Sequence, residues 1–288
     1  MTEPRFPPAG ACDCHVHVIG PKDRFPLARE RTYTPKNALT ADLAAMLARL
    51  ALDRVVLVQP SIYGTDNACM MDAIAALGPR ARGVAVLAPE TSAAEIDDLH
   101  ARGVRGLRVN VASVAALSAD KLRDALSATA RLAARNGWHV QTFLPTEAIA
   151  PLAQAFLDLP VPVVIDHFGL LGPRHAPEAA TPLLRLLESG RVWVKLSAPY
   201  RIADDANDPG IAPLAQRLAN ANPERIVWGS DWPHTPAHGH AHVADDEELP
   251  YRDLDTRTLL TAVRDWLPDP ALQQRLLVDN PARLYEFG

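Results

Sequence analysis

Histidine and aspartate side chains occur in this chain where three separate runs of apolar residues end. His15 and His17 close the run "ACDCHVHV", His167 follows "PVVID", and Asp231 follows "RIVWGS". Imidazole and carboxylate groups are common acid–base catalysts, and three nitrogens with one carboxylate also make an acceptable tetrahedral set for zinc. These residue types indicate a catalytic or metal site, provided that the fold brings the four side chains together.

Basic and amide side chains stand near the ends of other apolar runs. Arg108 lies in "VRGLRVN", and a guanidinium group pairs with a carboxylate through two parallel hydrogen bonds. We therefore predict that Arg108 binds a carboxylate of the substrate, with a salt bridge at the rim of the fold as the structural alternative. Lys195 and Arg201 could hold a second anionic group, and Gln141 is a further candidate for contact with the substrate.

Two loops supply neutral candidates. Ser61, Tyr63 and Asn67 lie in "QPSIYGTDN" and could donate hydrogen bonds to a substrate, although a turn that caps the next helix explains them equally well. Arg31 and Tyr33 lie in the first loop and could close over an anionic group. Solvent exposure is the simpler expectation for Arg31.

A third loop, residues 234–255, is the longest irregular stretch of the chain, and a loop of that length inside one domain is typical of a lid or a binding loop. His234 at its start is close enough to Asp231 to orient that carboxylate. Three further histidines resemble a metal-binding tract, but a solvated loop is the expected state of such a run. They are His238, His240 and His242.

Eight short apolar runs alternate with amphipathic, helix-like segments along the whole chain. Near-continuous apolar strands separated by helices predict a parallel sheet buried on both faces, and eight such units in one chain favour a (β/α)8 TIM barrel. We expect one domain that spans residues 1–288. The ends of such strands meet at one face of the barrel, so the polar residues above are predicted to converge there. The runs cover residues 11–18, 54–59, 81–87, 104–110, 138–143, 162–166, 191–197 and 225–230.

Composition excludes several other classes of protein. The 288 residues carry a formal net charge of −5 and no dense basic run, which argues against a nucleic-acid partner. No apolar run approaches the roughly 20 residues that span a bilayer, and the first residues do not resemble a signal peptide. Three cysteines do not make a disulfide framework. We expect a soluble, cytoplasmic enzyme without a membrane partner, either monomeric or homo-oligomeric.

The stretch "CDCHVH" at residues 12–17 resembles a four-ligand cluster of two cysteines and two histidines. Alternation along a strand places His15 and His17 on the face opposite Cys12 and Cys14. If the histidines face the barrel axis, the thiols are predicted to pack as small apolar groups against the helical layer.

The motifs "HVH", "DHFG" and "WGSDWPH" together resemble the amidohydrolase superfamily. Within it, "VQPSIYGTDN", "GVRGLRVN" and "LLVDNPARLY" are similar to the amidohydrolase-2 branch that contains the 2-pyrone-4,6-dicarboxylate lactonases. The resemblance implies a distorted TIM barrel in which water attacks the carbonyl carbon of a carboxylated lactone. Asp231 is then the general base for that water, and His15, His17 and His167 polarise the carbonyl oxygen.

The same resemblance bears on metal content. Superfamily members with two metal ions use a bridging lysine on strand four and a histidine on strand five, where this chain has Arg108 and Gln141. A binuclear site is therefore not expected. Because the lactonase branch implies hydrolysis without metal, we expect a metal-independent site. One zinc or other divalent ion on His15, His17, His167 and Asp231 is the alternative.

Several functional alternatives stay open at this level. "VASV" at residues 111–114 departs from the basic pattern expected of the dicarboxylate enzyme, so the lactone itself is not fixed. A sugar-lactone or sulfomuconolactone hydrolase, a lactone isomerase, and a zinc-dependent amidohydrolase or decarboxylase share the same motifs. A barrel that only binds its ligand would need neither the base nor the histidines.

Overall fold

Eight parallel strands form the centre of the computed structural model, which describes residues 5–110, 119–236 and 247–288. Each strand pairs with the next one along the chain, in the order β1 to β8. The last strand returns to the first, because the Asp231 amide donates to the His15 carbonyl oxygen at 2.9 Å. The predicted (β/α)8 barrel is confirmed. Its strands are β1 (Cys12–Val16), β2 (Arg54–Val58), β3 (Ala81–Ala85), β4 (Val104–Asn110), β5 (His139–Phe143), β6 (Val163–Ile165), β7 (Val192–Ser197) and β8 (Ile226–Gly229).

Helices cover the outside of the barrel and most of them bury an apolar stripe, whereas the short helix Pro270–Gln274 has no buried residue. In α1 the stripe comprises Leu43, Met46, Leu47 and Leu50, as the helical period predicts. In the part of the chain that the structure describes, no helix is both long enough and apolar enough to cross a bilayer. The helices are α1 (Thr40–Leu50), α2 (Ala68–Leu77), α3 (Ala93–Ala101), α4 (Ala119–Ala134), α5 (Ile149–Asp158), α6 (Thr181–Glu188), α7 (Ile211–Ala221), α8 (Thr256–Trp266), α9 (Pro270–Gln274) and α10 (Asn280–Tyr285).

Two long loops meet near the carboxyl ends of the strands. Thr34–Pro35 in the first loop pairs in parallel with Glu248–Leu249 in the loop after β8. The Lys22 ammonium adds an ion pair with the Glu248 carboxylate at 2.8 Å. The predicted lid segment is thus joined to the loop that carries Tyr33. His238, His240 and His242, and likewise the segment 111–114, lie outside the described residues.

The inside of the barrel has its own apolar core, which includes both cysteines of the first strand. Cys12 and Cys14 pack with Val56, Trp193 and other inward strand residues, whereas Val16 packs among residues of the helical layer. The prediction that the thiols face the helices is therefore wrong. The two cysteines are nevertheless absent from the candidate metal-binding groups among the described residues.

A bulge in β1 explains the error. The pairing register of β1 with β2 shifts between Asp13 and Val16, so the neighbours Cys14 and His15 both turn inward. The Asp13 carboxylate stabilises the bulge by accepting from the amides of His15 at 3.1 Å and Ser230 at 2.9 Å. Gly229 permits the close approach of β8, since an added Cβ would lie 2.6 Å from the Cβ of His15.

Because the imidazole of His139 is buried in this inner core, we expect the fold to lose stability in acid. Burial, reinforced by the charge of Lys195, lowers the pKa of His139 to about 3, whereas an unfolded histidine titrates near 6.5. The unfolded state therefore takes up the proton first. The stability provided by neutral His139 is complete above pH 6.5 and is lost progressively as the pH falls toward 3.

We expect that lowering the pH from 7 to 5 removes about 2 kcal/mol of unfolding free energy through this residue alone. Urea unfolding of the wild type and of His139→Gln at both pH values measures it. The pH-dependent loss should be smaller by that amount in the variant. Equal losses in the two proteins would contradict the assignment.

Candidate active site

Asp231 stands at the end of β8 and has one saturated and one open carboxylate oxygen. Its Oδ2 accepts hydrogen bonds from the Tyr200 hydroxyl at 2.8 Å and from the Arg201 Nε at 2.9 Å. A second Arg201 nitrogen lies 2.7 Å from the same oxygen. The other oxygen, Oδ1, is buried and has no hydrogen-bond partner among the described residues. That oxygen is the one available to a reacting molecule.

Three imidazole rings surround the open oxygen. The Nε2 atoms of His15, His17 and His167 lie 3.6, 3.5 and 3.8 Å from Asp231 Oδ1. The strand ends therefore bring together the four side chains that the sequence singled out. His15 is fully buried behind the pocket, whereas His17, His167 and Asp231 line it.

Contacts behind the rings orient two of the histidines. The Nδ1 of His17 lies 2.7 Å from the Val58 carbonyl oxygen, which can only accept, so Nδ1 carries the proton and the Nε2 of neutral His17 is an acceptor. The Nδ1 of His167 lies 2.8 Å from the Ser197 hydroxyl, which can donate and so leave the Nε2 proton of His167 facing the pocket. His167 itself sits in a short turn with a positive φ of 52°.

The charge states follow from burial and neighbours. Burial alone would raise the pKa of the Asp231 carboxyl, but the guanidinium of Arg201 beside its Oδ2 holds that pKa well below its usual range. Burial lowers the pKa of His167 to about 4 and that of His15 well below its ordinary value. At neutral pH the site therefore presents an ionised carboxylate beside neutral His15 and His167.

The pocket over these groups is lined by cationic and hydroxyl side chains. Arg108 donates to the Gln59 carbonyl oxygen at 3.1 Å, and its buried Nε has no hydrogen-bond partner among the described residues. Burial raises the pKa of Tyr33 to about 12, so its hydroxyl keeps its proton at neutral pH. The lining comprises His17, Tyr33, Pro60, Ser61, Arg108, Phe143, His167, Arg201, Asp231 and Thr235.

Two predicted substrate contacts lie beneath the pocket instead of in its lining. The Lys195 ammonium is fully buried and donates to the Cys14 carbonyl oxygen at 2.9 Å and to the Gln141 Oε1 at 2.7 Å. The Gln141 amide donates in turn to the Asp166 carboxylate at 3.0 Å. The prediction that Lys195 and Gln141 contact the substrate is therefore wrong. Both side chains form hydrogen bonds within the protein and support the site from below.

Asn67 and His234 also have structural partners. The Asn67 amide donates to the carbonyl oxygens of Thr65 and Val86 and braces the loop after β2, whereas its side chain makes no cap hydrogen bond to α2. The His234 ring lies 3.4 Å from the Tyr200 hydroxyl and 2.9 Å from the Thr256 hydroxyl. His234 therefore stands behind Tyr200, outside the pocket lining, and is not placed to contact the substrate.

Of the remaining loop candidates, one lines the pocket and two have partners elsewhere in the protein. Ser61 lines the pocket, but the Tyr63 hydroxyl accepts from the Gly20 amide and lies outside the lining. Arg31 donates to the Thr34 hydroxyl at 2.8 Å within its own loop.

Sequence reasoning did not single out three residues that the site uses. Asp166 precedes His167 and is fully buried. The Tyr200 hydroxyl donates to the Asp231 carboxylate, and the Thr235 hydroxyl accepts from Arg201. An acidic residue at the end of an apolar strand was the available clue to Asp166. Nothing in the local sequence distinguishes Tyr200 or Thr235 from ordinary loop residues.

The donor set fits one divalent metal ion. His15, His17 and Asp231 form one group whose ligand atoms lie within 4.8 Å of one another, and His15, Asp166 and His167 form another. Zinc–ligand bonds of about 2.0–2.1 Å place tetrahedral ligands roughly 3.4 Å apart, close to the separations around Asp231 Oδ1. Arg108 and Gln141 pair across β4 and β5, and neither side chain is of a type that commonly binds zinc.

Comparison with known proteins gives full-length matches. The model of the amidohydrolase family matches residues 12–287. A 2-pyrone-4,6-dicarboxylate hydrolase from Comamonas testosteroni is 37% identical over 99% of this chain and 93% of its own length. A 4-sulfomuconolactone hydrolase from Rhizobium radiobacter is 32% identical over 96% and 90%. A crystal structure from Pseudomonas putida, described as a 2-pyrone-4,6-dicarboxylic acid hydrolase, superposes with a TM-score of 0.80 at 28% identity and covers 97% of this chain and 98% of its own.

Proposed function

Because this chain belongs to the amidohydrolase family, we propose that it is a hydrolase that opens the ring of a carboxylated lactone, of which 2-pyrone-4,6-dicarboxylate is the type. The observation that carries the proposal is the open Oδ1 of Asp231, a buried carboxylate oxygen that faces the Nε2 atoms of His15 and His17 at the edge of a cationic pocket. Its full-length relatives are named for lactones that carry acidic groups.

The first step is activation of water. The Oδ1 of Asp231 and the Nε2 of His17 are both acceptors, so a water between them donates its two protons to them and turns its lone pairs toward the pocket. As the water oxygen attacks the lactone carbonyl carbon, Asp231 takes one proton. The ring carbon–oxygen bond then breaks, the leaving oxygen receives that proton, and the new carboxylic acid ionises.

The developing negative charge needs a donor on the opposite side of the carbonyl group. The Nε2–H of His167 faces the pocket when Ser197 donates to its Nδ1, and a preorganised donor of this kind favours the transition state. This assigns different tasks to histidines that the sequence treated alike. His17 orients water and His167 polarises the carbonyl group, while His15 acts from behind the pocket.

Arg108 provides the preference for an anionic substrate. Its nearest carboxylate is Asp166 at 3.6 Å, which is longer than a hydrogen bond, and its buried Nε is open. Arg201 already neutralises Asp231 but also lines the pocket, so it can share a second anionic group. Tyr33 and Ser61 add neutral hydrogen bonds.

Metal dependence stays a prediction, and we keep the metal-independent mechanism as the expectation. If one ion is present, His15, His17, His167 and Asp231 would hold it, and it would supply Lewis-acid polarisation. Metal analysis of the purified protein, with activity measured before and after chelation, decides between the two. Activity that disappears on chelation and returns with zinc would overturn the metal-independent mechanism.

A substrate panel in isotopically labelled water tests the function. We expect pyrone dicarboxylate or another carboxylated lactone to be opened, with one heavy oxygen from solvent appearing in the new carboxylate. The matched lactone without carboxylates should react at least about 10-fold more slowly, since a hydrogen bond to a charged group is worth about 1.5–3 kcal/mol. A product without solvent oxygen would indicate an isomerase, and failure of every lactone would refute the proposal.

A further inference from the structure

A second carboxylate, Asp166, lies directly behind the proposed base and does not line the pocket. It is fully buried at the end of β6, and its Oδ1 lies 3.3 Å from the Nδ1 of His15. Its Oδ2 accepts from the Gln141 amide at 3.0 Å and lies 3.6 Å from a terminal nitrogen of Arg108. One carboxylate therefore touches both the histidine behind the water site and the arginine of the anion site.

Lys195 lies beside the Asp166 carboxylate and competes with it for the Nδ1 atom of His15. Its Nζ lies 3.6 Å from Asp166 Oδ1 and 3.4 Å from the Nδ1 of His15, while two of its protons go to Cys14 and Gln141. An ammonium group can only donate and an ionised carboxylate can only accept. The two neighbours therefore favour opposite tautomers of His15.

The two tautomers of His15 differ in what the Nε2 atom, on the far side of the ring, presents to Asp231. With the proton on Nδ1, the Nε2 of His15 is an acceptor and joins Asp231 Oδ1 and His17 Nε2 in a cluster of three acceptors. A water has two protons, so it can donate to any two of these three acceptors. With the proton on Nε2, His15 would point that proton toward Asp231 Oδ1, 3.6 Å away, and compete with the water for the oxygen that the base needs.

We propose that Asp166 is a positioning residue that fixes His15 as an acceptor by taking its Nδ1 proton in a hydrogen bond. Lys195 balances the buried charge of Asp166, and Arg108 lies 3.6 Å from the same carboxylate on the anion-binding side of the pocket. The inference rests on the proposed hydrolytic function for its kinetic part only, because the tautomer of His15 can be observed without substrate.

The test compares Asp166→Asn with Asp158→Asn, the same change of side chain at the exposed end of α5, where Asp158 accepts from the Gln154 amide at 2.8 Å. Nitrogen-15 spectra of histidine-labelled protein, assigned with His15→Gln, should show the ring proton on Nδ1 in the wild type and in Asp158→Asn. In Asp166→Asn the proton should move to Nε2, since Lys195 is then the stronger partner.

In steady-state kinetics, Asp166→Asn should lower kcat by about 10- to 100-fold with KM within about threefold, the size usual for a residue that orients a catalytic group. Asp158→Asn should keep kcat within about threefold. If Asp166→Asn does not fold, Lys195→Met serves instead: it should retain the Nδ1 proton on His15 because Asp166 then acts unopposed.

Three results would overturn the assignment: an Nε2-protonated His15 in the wild type, an unchanged kcat in folded Asp166→Asn, or a change confined to KM. A protein that shows the predicted tautomers but opens no lactone would refute the proposed function while leaving the positioning role of Asp166 intact.

Discussion

Replacement of Asp231 by asparagine should lower kcat by about 10³- to 10⁴-fold, near the upper end of the range for loss of a general base. The substitution keeps the shape of the side chain but removes its ability to take a proton. Oδ1 is the open oxygen, since Tyr200 and Arg201 saturate Oδ2. KM should change little, because Asp231 does not hold the substrate anion. Steady-state kinetics on a lactone turned over by the wild type measures both parameters.

Asp255→Asn is the matched control for that experiment. Asp255 caps α8 by accepting from the Arg257 amide at 3.0 Å, and an asparagine can still cap. Its kcat should equal that of the wild type. Circular dichroism and thermal melting should show Asp231→Asn to be folded despite the loss of the charge opposite Arg201. Turnover within about tenfold of the wild type in folded Asp231→Asn would remove Asp231 as the base.

Replacement of Arg108 by methionine should raise KM about 10- to 100-fold, the equivalent of about 1.5–3 kcal/mol for a hydrogen bond between charged groups. The guanidinium lies in the pocket lining with an open Nε, and no other described side chain offers the same fork at that position. Arg108→Lys should fall between methionine and the wild type, because it keeps the charge but loses the planar pair of donors.

Arg105→Met provides the control for this second experiment. Arg105 lies on the same strand but donates to the His100 carbonyl oxygen and pairs with Glu286, away from the pocket. Its kinetic constants should match those of the wild type. Equal losses for carboxylated and uncarboxylated lactones in Arg108→Met would show that Arg108 supports the fold and does not read the substrate anion.

The barrel and the meeting of its polar strand ends were predictable from sequence, because both follow from alternating strands and helices. His15, His17, His167 and Asp231 converge since the carboxyl ends of parallel strands share one face. The depth of each side chain below that face was not predictable. Lys195 and Gln141 sit one layer lower than the pocket, and strand alternation fixes a face but not a height.

Two other departures have different causes. The bulge in β1 turns Cys14 and His15 inward together, which a strict period of two does not allow. Asp166 acquires its importance only through contacts with His15 and Arg108, residues 151 and 58 positions away along the chain by their numbering. Contacts of that range depend on the closed barrel and have no counterpart in local sequence.

The joint between β1 and β8 couples the closure of the barrel to the positions of the base and the histidines. The Asp231 amide closes the barrel on the His15 carbonyl oxygen, and the His17 amide does the same on the Trp232 carbonyl oxygen. Backbone atoms that complete the fold therefore belong to the residues that activate water. Arg108 on β4 and Ser61 after β2 take no part in that joint. A shift of this joint would move the base and the histidines together and leave Arg108 and Ser61 in place, whereas a side-chain substitution such as Asp231→Asn keeps both main-chain hydrogen bonds.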